Sequence, residues 1–241
     1  AYAYGHQCCD FSDGTLVCLT PGESISMKEN NKEFPSKGWI LAFHPDLICG
    51  TPLGLNIHNY TFFSYCPEEA LHLSLREKQI ILEFLERIRQ ELERCIDRHS
   101  KKIISKYIEL LLDYCTRFYE RQFITRSEVN KKVFREFNHL LDNHFNVKVS
   151  LSTDVLSDEY CANLLHLSPA YFNDLLKYEI GKEFKEYIQF KLFEIAKGWL
   201  VNTDKTLGQI AQELGFSNSQ YFSRLFKKIT GCSPNEFRMP N

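Results

Sequence analysis

The chain repeats itself near its C-terminus, and that repeat limits what it can fold into more than any other feature. One copy reads Ala162-Asn-Leu-Leu-His-Leu-Ser168-Pro-Ala-Tyr-Phe172-Asn-Asp-Leu-Leu176-Lys177 and ends at Gly181. The other reads Ala211-Gln-Glu-Leu-Gly215-Phe-Ser217-Asn-Ser-Gln-Tyr-Phe222-Ser-Arg-Leu-Phe226-Lys227 and ends at Gly231. The offset is 49 up to Ser168 and Ser217 and 50 from Phe172 and Phe222 onward, so the second copy has one extra residue in its turn. A segment that recurs with this fidelity is one supersecondary unit used twice.

Each shared position has a mechanical reason. Ala162 and Ala211 are small where two helices must cross closely, and Gly215 permits the positive φ of a sharp turn. Ser168 and Ser217 can cap the helices that follow, with Pro169 suited to a first helical position. Phe222, Leu225, Phe226 and Ile229 recur at helical spacing and predict a buried stripe. Gly181 and Gly231 stand where a helix stops. Ser233-Pro-Asn-Glu236 has the form of a capping box that opens a last short helix. Helix, tight turn, helix is the helix-turn-helix plan. Between the copies, Phe184, Ile188, Leu192 and Ile195 define a connecting helix over Glu183 to Leu200. Such a rod, about 26 Å long, could hold two recognition helices near one DNA turn apart, about 34 Å.

Upstream the periodicity changes twice. Residues 1–66 read as short strands: Gly14–Thr20, Ser24–Met27 after Pro21-Gly22, and Gly38–Phe43. Residues 67–146 read as helices. Ser74-Leu-Arg-Glu77 is a capping box, followed by Ile81, Leu85, Ile88, Leu92 and Cys95 on one stripe. A second helix has Ile104, Ile108, Leu111, Leu112, Cys115 and Phe118, and a third, from Glu128, has Val133, Phe134, Phe137 and Leu141. The first of these helices, from Ser74 to His99, spans about 38 Å. It fits either an intramolecular bundle or a dimerisation surface. Trp39, Phe43, Phe62, Phe63 and Tyr65 fit either ordinary core or an apolar pocket.

Charge is informative only locally. The formal net charge is -2. Residues 148–204 carry 6 basic and 9 acidic side chains, whereas residues 205–241 carry 5 basic and 2 acidic ones. Cations for a polyanion are therefore placed by position rather than by bulk. The nine scattered cysteines lack C-x-x-C spacing, a pattern of reduced thiols that predicts a cytoplasmic setting. No run reaches the roughly 20 apolar residues of a membrane span. The chain opens on Ala1 rather than Met, so its N-terminal region is expected to be incomplete.

In these residues the chain resembles the AraC/XylS family of transcriptional regulators. Three runs carry the likeness: Ile210-Ala-Gln-Glu-Leu-Gly-Phe-Ser217, Tyr221-Phe-Ser-Arg-Leu-Phe-Lys-Lys228 and Gly231-Cys-Ser-Pro-Asn-Glu-Phe-Arg238. It extends over residues 148–239. The segment around Thr20-Pro21-Gly22 looks like the tail of the family's cupin-like sensor barrel, and Arg117–Arg126 is similar to regulators of the Bacteroidetes type. The resemblance implies a mainly α fold with a small N-terminal β part. Residues 1–66 would form a partial cupin-like sensor segment, 67–146 a helical linker and dimerisation region, and 147–241 a DNA-binding domain with two helix-turn-helix units joined by a linker helix. It also implies double-stranded promoter DNA and RNA polymerase as partners, a small-molecule effector and a homodimer, with no cofactor and no membrane.

The buried stripe leaves an outward face by subtraction. In the second copy Ser219, Gln220, Ser223, Arg224 and Lys227 point away from the core, with Asn218 at the start of the helix. Gln can pair bidentately with adenine and Arg with guanine, while Ser and Lys suit phosphate. In the first copy the equivalent face holds Ala170, Asn173, Asp174 and Lys177. Asp174 stands where the family commonly has Arg. A carboxylate is unfavourable near phosphate, although it can accept from cytosine. Either this copy reads an unusual base or it binds weakly and the second dominates. Two other function classes have sequence requirements of their own. A metal enzyme needs clustered ligands, whereas His6, His44 and His58 form no H-x-H pair. A pure protein-interaction module shares the fold but would ignore DNA.

Overall fold

In a computed structural model the described residues are 8–23, 38–147, 157–216 and 218–238. The chain divides into two compact units, residues 1–127 and 128–241.

In its described residues the N-terminal unit contains one short ribbon and a pair of long helices. Strand β1 (Gly14–Leu16) precedes two short helices, α1 (Pro45–Ile48) and α2 (Pro52–Asn56), three 3₁₀ turns and strand β2 (Leu71–Leu73). The strands pair antiparallel, with Gly14 opposite Leu73 and Leu16 opposite Leu71. The β reading of this region was too generous. Gly14–Thr20 is a strand over three residues only, Gly38–Phe43 joins no ladder among the described residues, and Ser24–Met27 lies outside them. His44 and Thr51 act as N-caps, with Pro45 and Pro52 at the first helical positions, and so start helices rather than strands.

The Ser74 capping box forms as its spacing predicts. Ser74 Oγ accepts from Glu77 N at 3.3 Å and Glu77 Oε2 accepts from Ser74 N at 2.9 Å, opening α3 (Leu75–Glu93). The stripe Ile81, Leu85 and Ile88 is buried, but Leu92 is exposed within the last turn, and the helix stops short of His99 with Cys95 exposed beyond its end. The reason is local: Asp97 Oδ1 accepts from His99 N at 2.7 Å and Ser100 N at 3.0 Å, starting the next helix, α4 (Ser100–Thr125). All six residues expected on the α4 stripe are buried. Phe62 and Tyr65 pack on Tyr119 with ring centroids 5.4 and 5.1 Å apart. These two are core, whereas Trp39 is exposed. The end of α4 holds the ribbon. Gln122 accepts from His72 N at 2.8 Å and donates to Ala70 O at 3.1 Å, completing the free edge of β2. Arg126 grips Asp10 through two bonds of 2.9 and 2.6 Å.

The C-terminal unit is helical in its described residues: α5 (Ser127–Val147), α6 (Asp158–Leu164), α7 (Pro169–Ile180), α8 (Phe184–Asn202), α9 (Leu207–Glu213), α10 (Ser219–Thr230) and α11 (Pro234–Arg238). The helical stretch read over 67–146 is thus shared between the two units. Phe137 and Leu141 of α5 are fully buried in the core that the repeat builds. Phe137 meets Phe172 edge-on at 5.0 Å, and Tyr187 Oη donates to Asn138 Oδ1 at 2.6 Å.

Helix α8 is buried on two sides. Phe184 and Tyr187 lie against Phe137, while Phe193 sits within 6.0 Å of Phe216, Phe222 and Phe226. One half of the connector therefore completes the first repeat and the other half completes the second. At 19 residues it is about 28 Å long. Arg238 of α11 donates to Leu200 O at 3.2 Å and Lys205 O at 2.5 Å, fixing the chain where α8 hands over to α9.

Candidate nucleic-acid interface

Both repeats turn by the same hydrogen bonds. Leu167 N donates to Ala162 O and Phe216 N to Ala211 O, each at 2.9 Å, and His166 N and Gly215 N each close the inner ring at 3.1 Å. This is the Schellman arrangement, which needs a left-handed residue just past the helix. The second copy supplies Gly215 at φ 78, and the first forces His166 to φ 57. A β-carbon at such a position costs about 1–2 kcal/mol. Gly215→Ala should therefore lower stability by about that much, seen as a lower urea midpoint. His166→Gly should change it less, because relief of strain is offset by a freer unfolded chain. Equal and opposite shifts would contradict this account.

The helices that follow are capped and stopped alike. Ser168 Oγ accepts from Tyr171 N at 3.2 Å, and Asn218 Oδ1 accepts from Tyr221 N at 2.6 Å. The cap of α10 is thus Asn218, the residue that the extra position in the turn brings into register. Ser217, expected in that role, lies outside the described residues. Gly181 and Gly231 both adopt left-handed φ and donate to Lys177 O and Lys227 O at 2.9 Å. Ala162, Phe172, Ala211, Phe222 and Phe226 are all essentially buried. Ile229, expected on the same stripe, is 43% exposed and lies beyond the core contact.

On α10, Gln220, Arg224 and Lys227 are exposed, and Ser219 and Ser223 are half-buried. Ser223 Oγ donates to Ser219 O at 2.8 Å. Gln220 and Arg224 form no ion pair or side-chain hydrogen bond among the described residues. Lys228, outside the expected set, is exposed beside Lys227, and the adjacent Lys-Lys pair was its only sequence signal. Hydrogen bonds from Ser233 hold the Glu236 carboxyl below the ordinary range, and the Lys227 charge adds a smaller pull.

The first repeat differs. Of its four expected residues, Ala170, Asn173 and Asp174 are half-buried and Lys177 is exposed. The sequence places Asn173 on the outward face with Asp174 and Lys177. Its Nδ2 instead donates to Asp158 Oδ2 at 2.9 Å and to Pro169 O at 3.0 Å. Lys177 lies 3.2 Å from Glu183. Asp158, which no local pattern singled out, is the residue that engages this face. Among the described residues no group of three or more His, Cys, Asp or Glu side chains could hold a metal ion, and no helix is long and apolar enough to cross a membrane.

Two tight-turned helix pairs on a common connector define a double helix-turn-helix fold. A family described as "Helix-turn-helix domain" matches residues 161–239. The bifunctional transcriptional activator and DNA repair enzyme AdaA of Bacillus subtilis is 40% identical over 86 residues, 36% of this chain and 41% of that protein. The arabinose operon regulatory protein of Salmonella typhimurium is 31% identical over 101 residues, 42% of this chain and 32% of that protein. The uncharacterised HTH-type transcriptional regulator YijO of Escherichia coli is 24% identical over 225 residues, 93% of this chain and 76% of that protein. Among solved structures, the C-terminal domain of AraT, a response regulator from Geobacillus stearothermophilus, is 30% identical. It covers 44% of this chain and 83% of its own, with a TM-score of 0.38. The chain spans only 14%, 21% and 41% of three of the curated relatives it matches. Residues 161–239 thus match a helix-turn-helix family, and these relatives are named as transcriptional regulators.

Proposed function

We propose that the chain is a sequence-specific DNA-binding transcription factor acting at bacterial promoters. One observation carries the reading: α10 is held by the buried Phe222 and Phe226 while Gln220 and Arg224 on its other side stay exposed and unengaged among the described residues. These side chains have the donor geometry that reads adenine and guanine edges in a major groove. Lys227 and Lys228 add charge for the phosphate backbone. The relatives, an HTH-type transcriptional regulator and an arabinose operon regulatory protein among them, support the same class.

In this reading the N-terminal unit responds to a small-molecule effector or brings two copies together, and the C-terminal unit positions RNA polymerase at the promoter. A ligand switches such a protein only if it binds two states differently. The repair activity in AdaA's name is not part of this reading.

The test is a gel shift of the purified chain on its own upstream DNA, with scrambled competitor and a salt titration. Expected is a preference for the native duplex and an affinity that falls with salt, with a log–log slope of about -0.9 per phosphate engaged. Equal affinity for native and scrambled DNA would reject sequence-specific recognition. No binding at any salt would leave a protein-interaction module as the reading.

A further inference from the structure

Superimposing the two repeats by sequence puts unlike chemistry at the same positions. At the offset of 50, Gln220 corresponds to Ala170 and Arg224 to Asp174. Both bidentate readers of the second copy are therefore missing from the first: one is a methyl group and the other has reversed charge. The remaining side chain there able to pair with adenine is Asn173. Both of its amide hydrogens are already given, one to the Asp158 carboxylate and one to Pro169 O, at 2.9 and 3.0 Å. Turning it to a base would exchange a charge-assisted bond for a base contact of comparable strength, and would leave Asp158 unpaired beside the phosphates.

Charge points the same way. Residues 157–181 carry 1 basic and 4 acidic side chains, and that single cation, Lys177, lies 3.2 Å from Glu183. Residues 206–231 carry 3 basic and 1 acidic side chain. The first repeat thus presents a net negative surface to a polyanion, with its amide reader committed.

We infer that base recognition is confined to the second helix-turn-helix unit, through Gln220 and Arg224, and that the first unit specifies no bases. The inference rests on the DNA-binding reading above. The first unit then serves as a brace: its helices share the core of α5 and the N-terminal half of α8, which keeps α10 rigidly placed. Each bound copy of the chain specifies one short block of sequence, not two blocks a helical turn apart.

Selection of duplexes from a randomised pool by the full chain tests this. Expected is one conserved block per bound copy. Recurrence of the same block reports a second copy and supports the inference. Two different blocks of equal strength, one helical turn apart within a copy's footprint, would overturn it. Loss of the enriched sequence preference altogether would overturn the DNA reading first. As a second arm, Ala170→Gln combined with Asp174→Arg should create a new block one turn from the first and tighten binding about tenfold. Asn173→Ala should leave the enriched block unchanged, and a changed block would count against the inference.

Discussion

Phe222→Ala is expected to cost the C-terminal unit about 3–5 kcal/mol of folding stability. The ring is fully buried and lies 5.2 Å from Phe216, 5.8 Å from Phe226 and 6.0 Å from Phe193. Those three rings come from the turn, from α10 itself and from α8, so none can slide into the vacated space without shifting a whole element. The transfer and cavity terms therefore both apply in full. A domain stable by about 5–15 kcal/mol loses a large share of its margin. Urea unfolding followed by circular dichroism measures the loss. Lys228→Ala is the control, an exposed change expected within about 0.5 kcal/mol of wild type. Similar midpoints for the two variants would mean that the core is not where the rings place it.

Arg224→Ala is expected to weaken specific DNA binding by about 1–3 kcal/mol, the value of one bidentate base contact. The guanidinium has no ion pair among the described residues and its residue is exposed, so its removal should leave the unfolding midpoint unchanged. That separates recognition from folding. Asp174→Ala should weaken binding far less, or strengthen it by removing a carboxylate from the neighbourhood of the backbone. Titrating both variants on one duplex at one salt concentration ranks them. A greater loss from Asp174→Ala would reverse the assignment of readers.

What the sequence made legible was local chemistry. Caps and stops are decided within a few residues, so the boxes at Ser74 and Ser233 and the glycines at 181, 215 and 231 could all be read directly. Burial partners could not. Periodicity assigns Phe137 to a buried face without saying whose core it joins, and it detects only one stripe on α8 although that helix is covered on two sides. The cap at Asn218 was missed because one inserted residue shifts the register by a single position. His166 was missed because a left-handed histidine leaves no mark in composition. The short β1–β2 ribbon pairs residues far apart in the chain, and alternation alone overestimated the strand among the described residues of 1–66. On α10, subtraction of the apolar stripe leaves Gln220 and Arg224 outward, and both are exposed. The bond between Asn173 and Asp158 joins two helices 15 residues apart and follows no local pattern.

The most direct measurement is the affinity of the purified chain for duplex DNA from its own promoter against a scrambled duplex of equal length, at matched salt. The account predicts a specific complex at least about a thousandfold tighter than the scrambled one, with that ratio reduced in Arg224→Ala. Equal affinities, or a ratio untouched by loss of Arg224, would contradict it.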